Sequence, residues 1–346
     1  MNTKGGLLER LANGSVICAE GYLFEFERRG YLQAGPYVPE IVLEHPEMVA
    51  GLHREFVHAG SDVVEAFTYY AHREKLRLIG REGELERINR DALEIAATVA
   101  RETGTLAAGN LSNTNVFAPD DESRRLVRSM YDEQVQWIVD AGMDFVVAET
   151  LSYVEEAELA LASIIESGLP AVMTLAIHRD PHTRDGFTAA QACARLADSG
   201  ADVVGLNCIR GPQTMMPMIR EIRDAVDCHV AALPVPYRTN DAEPSFQALT
   251  DPGCDCLPGD RPFPTALDPF LCNRYEIAEF TREAILADVR YLGVCCGAGP
   301  HMIRSMAEAL GRTPPASRYS PDMSRHAYLG SDPSLKAHNQ AYVREL

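Results

Sequence analysis

The sequence predicts an α/β protein, a (β/α)8 TIM barrel with a C-terminal arm. Short apolar runs recur along the chain, amphipathic segments separate them, and one glycine-containing junction is repeated. Runs rich in Val, Ala and Leu are typical of parallel strands that are buried on both faces. Eight such runs are predicted to be strands: residues 15–20, 62–68, 106–110, 144–149, 171–175, 202–207, 230–233 and 290–294.

The segments between the strands have helical periodicity. In residues 86–101 the apolar positions recur at spacings of three and four, which gives a single stripe. The junctions HAGSDVV (58–64), DAGMDFVV (140–147) and DSGADVV (198–204) each place a glycine just past a helix, where a left-handed cap is needed. Repeated β/α units favour a closed barrel. A doubly wound sheet is the alternative, but no Gly-x-Gly-x-x-Gly turn follows the first strand.

Two segments fall outside the repeated pattern. Residues 234–272 are a long connection rich in Pro, Gly and Asp, and a lid is the natural expectation for a loop of that length. The barrel domain is predicted to span residues 1–311. Residues 312–346 are polar with scattered aromatic side chains, and we interpret them as an arm that packs on a second copy of the chain. A frayed terminus is the alternative.

Composition limits the functional classes. The chain has 346 residues and a formal charge of −18, which argues against a nucleic-acid partner because phosphate binding needs clustered Lys and Arg. No apolar run approaches the length of a membrane span, and the first residues, MNTKGGLLERLANGS, lack the apolar core of a signal peptide. We therefore expect a cytoplasmic protein with no membrane partner.

The cysteines carry the strongest chemical signal. Nine cysteines at uneven spacing do not resemble a disulfide framework. Cys208 ends the sixth predicted strand in VVGLNC, and Cys295 and Cys296 end the eighth in YLGVCCG, where barrel enzymes keep their active sites. Both members of the pair can face one ion only if the strand has already ended, and Gly293 and Gly297 permit such a bend. Three thiolates would leave zinc one open position, as in catalytic sites.

Other interpretations of these cysteines remain open at this point. A single cysteine at a strand end is usually a small buried hydrophobe, and an adjacent pair can form a vicinal disulfide. A redox sensor or a purely structural metal site is therefore the alternative, although structural zinc normally has four protein ligands. The spacing Cys254-x-Cys256 in the long loop is a weaker metal signal, because no partner pair accompanies it.

The motifs GLNC and GVCCG together resemble the zinc signature of the homocysteine S-methyltransferase family. The segments RGYLQAGPYVPE, LHREFVHAGSDVVEAFTYYA, DFVVAETLSYVEEA, and FPTALDP through GVCCGAGPHMIRSMAE are similar, in order, to the betaine-dependent members of that family. The resemblance covers about residues 5 to 312. It implies a homo-oligomeric methyltransferase that uses Zn²⁺, with homocysteine and a methyl donor as substrates.

The resemblance also implies roles for individual residues. Cys208, Cys295 and Cys296 would hold zinc, and Glu149 would be the catalytic-site glutamate that binds the amino group of homocysteine. The expected substrate-binding residues are Glu20, Gly21, Tyr37, Thr68, Tyr69, Tyr70 and Glu149, with Gly21 and Thr68 near the acceptor's carboxylate and Tyr70 beside the methyl donor.

Three positions depart from the family pattern. Glu20 stands where the family usually has an aspartate, so its carboxylate reaches about one methylene further into the site. Tyr37 stands where the betaine-dependent members have a tryptophan, and Thr150 where they have a tyrosine. A smaller ring at Tyr37 reshapes a pocket for a cation. These departures concern the donor pocket more than the metal or the acceptor.

The expected reaction is methyl transfer from a small onium donor to homocysteine, which gives methionine. A free thiol has a pKa near 8.5, and binding to zinc removes its proton. Onium donors need neither a phosphate-binding loop nor a redox cofactor, and the sequence shows neither. Glycine betaine is the first candidate, and dimethylsulfoniopropionate, S-methylmethionine and S-adenosylmethionine are alternatives. A different thiol acceptor is also compatible with the sequence.

Overall fold

The computed structural model describes residues 5–253 and 261–337, so Cys254 and Cys256 lie outside the described residues. Eight parallel strands close into a barrel in sequence order. The strands are β1 Val16–Ala19, β2 Val63–Glu65, β3 Leu106–Ser112, β4 Phe145–Leu151, β5 Ala171–Leu175, β6 Val203–Asn207, β7 His229–Leu233 and β8 Tyr291–Val294. The predicted (β/α)8 barrel is therefore confirmed.

Helices surround this barrel on the outside. They are α1 Leu7–Asn13, α2 Tyr22–Arg28, α3 Ile41–Glu44, α4 Pro46–Ala59, α5 Arg73–Leu78, α6 Leu85–Thr103, α7 Asp121–Asp140, α8 Val154–Ser167, α9 Ala189–Asp198, α10 Pro212–Ala225, α11 Arg274–Leu286 and α12 Pro300–Ala309. The predicted amphipathic segment 86–101 lies within α6, and its apolar stripe faces the barrel. Of the strands, β3 and β4 each run two residues beyond prediction, whereas β2 ends three residues early.

The repeated junctions have a common structure. The backbone is left-handed at all three predicted glycines, which are Gly60, Gly142 and Gly200. The aspartate two residues later accepts a 2.8 Å hydrogen bond from a backbone N–H of the preceding strand; the pairs are Asp62–Ile17, Asp144–Ala107 and Asp202–Ala171. Each junction thus both ends a helix and fixes two neighbouring strands.

The interior of the barrel changes from apolar to polar along its axis. Successive residues of a strand point to opposite faces, so every second residue faces inward. Inward residues in the lower part form one buried apolar cluster that includes Cys18, Val63, Ala108, Val147 and Val203. Further along the same strands the inward positions are occupied by Glu20, Glu65, Asn110, Glu149 and Asn207, all buried. We call these five residues the polar layer.

Two segments lie outside the repeated β/α pattern, residues 234–272 and the residues after α12. In the described part of 234–272, Tyr237 pairs with Leu271 in an antiparallel bridge, and the Phe246 N–H donates to the carbonyl of Ile209 at 2.8 Å. This contact attaches the segment to the barrel mouth, and its closure over a substrate stays a prediction. After α12 the chain forms 3-10 turns at Pro315–Tyr319 and Met323–Arg325. The domain boundary at 311 and the contact between copies also stay predictions.

Among the described helices, none combines the length and apolar character that a membrane crossing would require.

Candidate active site

The three predicted metal ligands come together at the mouth of the barrel. Cys208 follows the end of β6, and Cys295 and Cys296 follow the end of β8. Their sulfur atoms all lie within 4.8 Å of one another, and those of Cys295 and Cys296 are 3.9 Å apart. Tetrahedral zinc with Zn–S bonds of about 2.3 Å separates its sulfur ligands by about 3.8 Å, so the cluster fits the ion. All three thiols are free.

Local backbone geometry brings these thiols together. Cys208 has a left-handed backbone with φ 57°, and its N–H donates to the Leu233 carbonyl of β7 at 2.9 Å. Gly297 also has a positive φ, 98°, and a Cβ there would lie 2.2 Å from the Tyr237 hydroxyl. Gly293 differs from prediction: it lies inside β8, where a Cβ would meet the Cys18 carbonyl at 2.1 Å. Gly297 therefore belongs to the bend, whereas Gly293 permits close strand packing.

The three thiols differ in acidity. Hydrogen bonds from the thiols of Cys295 and Cys296 hold the pKa of Cys208 well below its usual value. Burial raises the pKa of Cys295, and the hydrogen bond to Cys208 raises that of Cys296. Cys208 is therefore the most acidic thiol of the cluster, and a metal ligand must be a thiolate.

Below the cysteines, two amide side chains orient the central glutamate of the polar layer. The Asn110 amide donates to Glu149 Oε1 and to Glu65 Oε1, each at 2.7 Å. The Asn207 amide donates to Glu149 Oε2 at 2.6 Å, and the Thr150 hydroxyl donates to the same oxygen at 3.2 Å. Both carboxylate oxygens of Glu149 are therefore fixed in position.

The polar layer contains three buried carboxyl groups, those of Glu20, Glu65 and Glu149. Burial is the main cause that raises the pKa values of Glu20 and Glu149, and it raises that of Glu65 to about 7. Within residues 5–253 and 261–337, no Lys or Arg hydrogen-bonds to any of the three carboxyl groups. Glu20 Oε1 is buried and has no hydrogen-bond partner there. Since buried charge is stable only when it is paired, this arrangement suits a ligand with an ammonium group.

Two cavities meet at the cysteines. The inner one holds about 20 Å³ and is lined by the three glutamates, Asn110 and the Cys295–Cys296 pair. The outer one holds about 310 Å³, opens to solvent and is lined by Cys208 and Cys296. Tyr69, Thr150 and Cys296 line both. A reacting atom at the cysteines can therefore be approached from two sides.

The outer cavity has a wall of aromatic rings. Tyr37 stacks on Phe24 with ring centroids 6.0 Å apart, and Phe24 lies 6.1 Å from Phe246 of the long segment. Tyr70 also lines this cavity, but the ammonium of Lys75 lies 3.8 Å from the centroid of its ring. Tyr37 and Phe24 thus present rings with no cation already bound among the described residues, and rings of this kind attract cations.

Backbone strain is concentrated around the same cavity. In the described part of the chain, seven non-glycine residues have a positive φ. Six of them line the outer cavity: Tyr37, Tyr70, Asn115, Thr150, Cys208 and Ile209. Such conformations cost about 1 to 3 kcal/mol each and are typical of functional sites. The exception is Asp288.

Not every residue expected at the site lines a cavity. The Thr68 hydroxyl donates to the Asn110 carbonyl at 2.8 Å, and Thr68 lines neither cavity. Gly21 is also absent from both linings; a Cβ there would lie 2.1 Å from the Ala298 carbonyl, so it permits close contact with the loop after Cys296. Sequence reasoning missed Glu65, Asn110 and Asn207. The available signal was a polar residue near the end of an otherwise apolar strand.

A closed (β/α)8 barrel whose mouth combines three cysteine thiols with buried carboxylates defines an enzyme of thiol chemistry. The family model for homocysteine S-methyltransferase matches residues 21–310, and the chain belongs to this family. It is therefore a methyltransferase.

Curated relatives are similar in sequence over nearly the full chain. Betaine–homocysteine S-methyltransferase 1 of Danio rerio is 36% identical, with 99% of this chain and 84% of the relative covered. S-methylmethionine–homocysteine S-methyltransferase of Mus musculus is 33% identical, with 99% and 90% covered. The metallated form of a homocysteine methyltransferase from Escherichia coli superposes with a TM-score of 0.67 at 17% identity, over 86% of this chain and 97% of that one. That structural similarity supports the fold.

Proposed function

We propose that this enzyme transfers a methyl group from a small onium donor to the thiol of homocysteine, with zinc as its metal and methionine as its product. The observation that carries the proposal is the cluster of Cys208, Cys295 and Cys296 at the junction of two cavities. One cavity is acidic and the other has aromatic walls, which matches an amino-acid acceptor and a cationic donor that meet at the sulfur cluster.

Cys208, Cys295 and Cys296 would hold the zinc ion. Three protein ligands leave one coordination position for a substrate, as in catalytic zinc sites. When bound, zinc would supply the positive charge that lowers the pKa of the acceptor thiol and favours its thiolate at neutral pH.

The inner cavity would receive the amino group of the acceptor. Glu149 is held at both oxygens by Asn110 and Asn207, so its carboxyl group has a fixed position, and an ammonium beside it would favour its charged form. Glu20 Oε1 has no hydrogen-bond partner in the described structure and would accept from the ammonium. Anchoring the amino group orients the side chain of the acceptor and brings its sulfur to the cysteines. Such positioning accelerates a two-substrate reaction by holding the reacting atoms in contact.

The outer cavity would hold the donor with its onium group towards the cysteines. Tyr37, Phe24 and Phe246 offer aromatic rings, and each cation–π contact contributes about 0.5 to 2 kcal/mol. The acceptor sulfur forms the new S–CH₃ bond with its lone pair while the methyl bond to the donor nitrogen or sulfur breaks. That bonding pair stays on the donor, which leaves as a neutral amine or sulfide, and the thiol proton passes to solvent.

Glycine betaine is the first candidate donor, since relatives named for betaine match the chain at up to 36% identity. S-methylmethionine is the second candidate, because the Mus musculus relative named for that donor is 33% identical over the same span.

Methionine formation by the zinc-loaded protein tests the proposal. Homocysteine would be supplied with glycine betaine, dimethylsulfoniopropionate, S-methylmethionine and S-adenosylmethionine in separate reactions, and chelator-treated protein would serve as the control. Turnover with at least one donor, lost on chelation and restored by zinc, is the expected result. No turnover with any donor, from protein that holds one zinc per chain, would contradict it.

A further inference from the structure

The outer cavity is polarised across the barrel. In a closed barrel of eight strands, β1 and β5 lie on opposite sides. The aromatic residues Phe24 and Tyr37 follow β1, whereas His178 and Arg184 follow β5, and all four line the cavity. The β1 side of the cavity therefore offers rings, and the β5 side adds hydrogen-bond donors, with the Tyr153 ring beside Arg184.

Arg184 lies in a turn that is attached firmly to the barrel. Its N–H donates to the Ser152 carbonyl at 2.8 Å, directly after β4. The next residue, Asp185, accepts from the Val154 N–H at 2.8 Å and from the Glu155 N–H at 3.2 Å at the start of α8. A cation whose backbone is held on both sides is preorganised, which lowers the entropy cost of binding a ligand.

The guanidinium of Arg184 has one acidic neighbour in the cavity lining, Glu156, and the charge of Arg184 counteracts the burial that raises the pKa of that carboxyl. Among the residues that line the outer cavity it is the one Arg or Lys. In the described part of the chain it forms no ion pair, and its contact there is with the Tyr153 ring, 5.9 Å from the centroid. Glu156, the acid in the same lining, instead accepts from the Thr114 N–H and hydroxyl at 2.8 and 2.6 Å.

Arg184 carries the positive charge on the β5 side of the outer cavity. Half-buried His178 meets the Ser152 hydroxyl at 3.2 Å, and burial lowers its pKa, which favours the neutral imidazole. A guanidinium presents several N–H donors in the planar arrangement that matches a carboxylate. Arg184 is exposed where it lines the cavity and forms no ion pair in the described part of the chain, so its guanidinium is accessible to an anionic group of a ligand.

We propose that Arg184 binds the carboxylate of a zwitterionic methyl donor whose onium group lies against the aromatic wall on the opposite side. This inference rests on the proposed function and narrows it to donors that carry a carboxylate a few bonds from the methylated centre. Arg184 is thus a specificity-determining residue. Onium compounds without an acid group would bind only through the rings.

Two sulfonium donors that differ in one group test this assignment. Dimethylsulfonioacetate carries a carboxylate and trimethylsulfonium does not, and each is offered with homocysteine to zinc-loaded wild type, Arg184→Gln and Arg184→Lys. Arg184→Gln is expected to lower kcat/KM for dimethylsulfonioacetate about 10- to 100-fold, mainly through KM, since it removes a charge-assisted pair. For trimethylsulfonium, kcat/KM should change less than about 3-fold. Arg184→Lys should show a smaller loss of kcat/KM for dimethylsulfonioacetate than Arg184→Gln, because it keeps the positive charge.

Arg179→Gln is the matched control, because Arg179 is exposed on the same connection and does not line the cavity. An equal loss of kcat/KM for both donors in Arg184→Gln, or no loss for either, would overturn the carboxylate assignment. Turnover of trimethylsulfonium by the wild type would still support the proposed reaction. Absence of turnover with both donors in wild type that does methylate homocysteine with glycine betaine would overturn this inference alone. Absence of turnover with every donor would overturn the proposed function, and this inference with it.

Discussion

The side-chain amide of Asn207 donates to Glu149 Oε2 at 2.6 Å, and Asn207 is followed directly by Cys208. The same amide lies 3.9 Å from the sulfur of Cys295. The end of β6 therefore links the buried carboxylates to the cysteine cluster through one residue. A shift of this strand would move Glu149 and the cysteine cluster together, so the inner and outer cavities share one support.

Removing the charge of Glu149 should weaken binding of the acceptor. We expect Glu149→Gln to lower kcat/KM for homocysteine about 10- to 100-fold, because an ammonium loses its charged partner. The acceptor 4-mercaptobutanoate, which lacks the amino group, should be affected much less, and zinc content should be unchanged. Glu166→Gln, at an exposed position on α8, is the control. Equal losses with both thiols would argue against the amino-group role.

Cys208→Ala should abolish both metal binding and turnover. It removes the most acidic thiol of the cluster and leaves two ligands, so we expect zinc per chain to fall well below one and methionine formation to fall at least about 100-fold. Cys193→Ala is the matched control and should keep both zinc and turnover. Cys193 is buried on α9, away from the cluster, and its thiol donates to the Gly205 carbonyl at 3.8 Å. Full zinc occupancy in Cys208→Ala would disprove the ligand assignment.

Gly21→Ala should disturb the metal site from a distance. The new Cβ would lie 2.1 Å from the Ala298 carbonyl, two residues beyond Cys296, and backbone cannot yield as a flexible side chain does. We expect a stability loss of about 1 to 3 kcal/mol and weaker zinc binding, measured by denaturant unfolding and competition with a chelator. Gly14→Ala has open space and should change neither quantity. Unaltered zinc affinity in Gly21→Ala would refute the proposed packing role.

Glu65 should make stability fall as pH rises. Burial raises its pKa from 4.5 in the unfolded chain to about 7 in the folded protein, so the folded state retains the proton longer. Its contribution to stability is complete below pH 4.5 and is lost as pH rises through 7. Relative to wild type, Glu65→Gln should gain about 2 kcal/mol of unfolding free energy between pH 5 and pH 8. Urea titrations of zinc-free protein at both pH values measure this difference.

Glu166→Gln, at an exposed position on α8, is the control variant in the same titrations. A pH-independent offset between Glu65→Gln and wild type would show that Glu65 has the same protonation in both states.

The eight strands could be predicted because parallel strands buried on both faces must be apolar throughout, which makes them visible as runs. Strand ends were less certain: β2 stops at Glu65 because the Thr68 N–H turns back to the Ala66 carbonyl. The cysteine cluster was predictable from position alone, since the carboxyl ends of barrel strands meet at one mouth.

The rest of the site depends on side-chain geometry that spacing does not encode. Asn110 and Glu65 lie on different strands, and only the barrel stagger brings them to 2.7 Å. Arg184 lies in a loop, and no periodicity marks it as part of the cavity. Thr68 was placed at the substrate by resemblance, whereas its hydroxyl is engaged by a carbonyl. Tertiary packing determines where loops lie and which hydrogen-bond partners a side chain has, so neither could be predicted from the sequence.

X-ray absorption at the zinc edge tests the central claim most directly, with and without homocysteine. The account predicts three sulfur ligands at about 2.3 Å and one lighter ligand in the resting protein. Homocysteine should raise the sulfur count to four. A sulfur count that stays at three after saturation with homocysteine, or zinc held without sulfur, would contradict the proposal that the cysteine cluster presents the acceptor thiol for methylation.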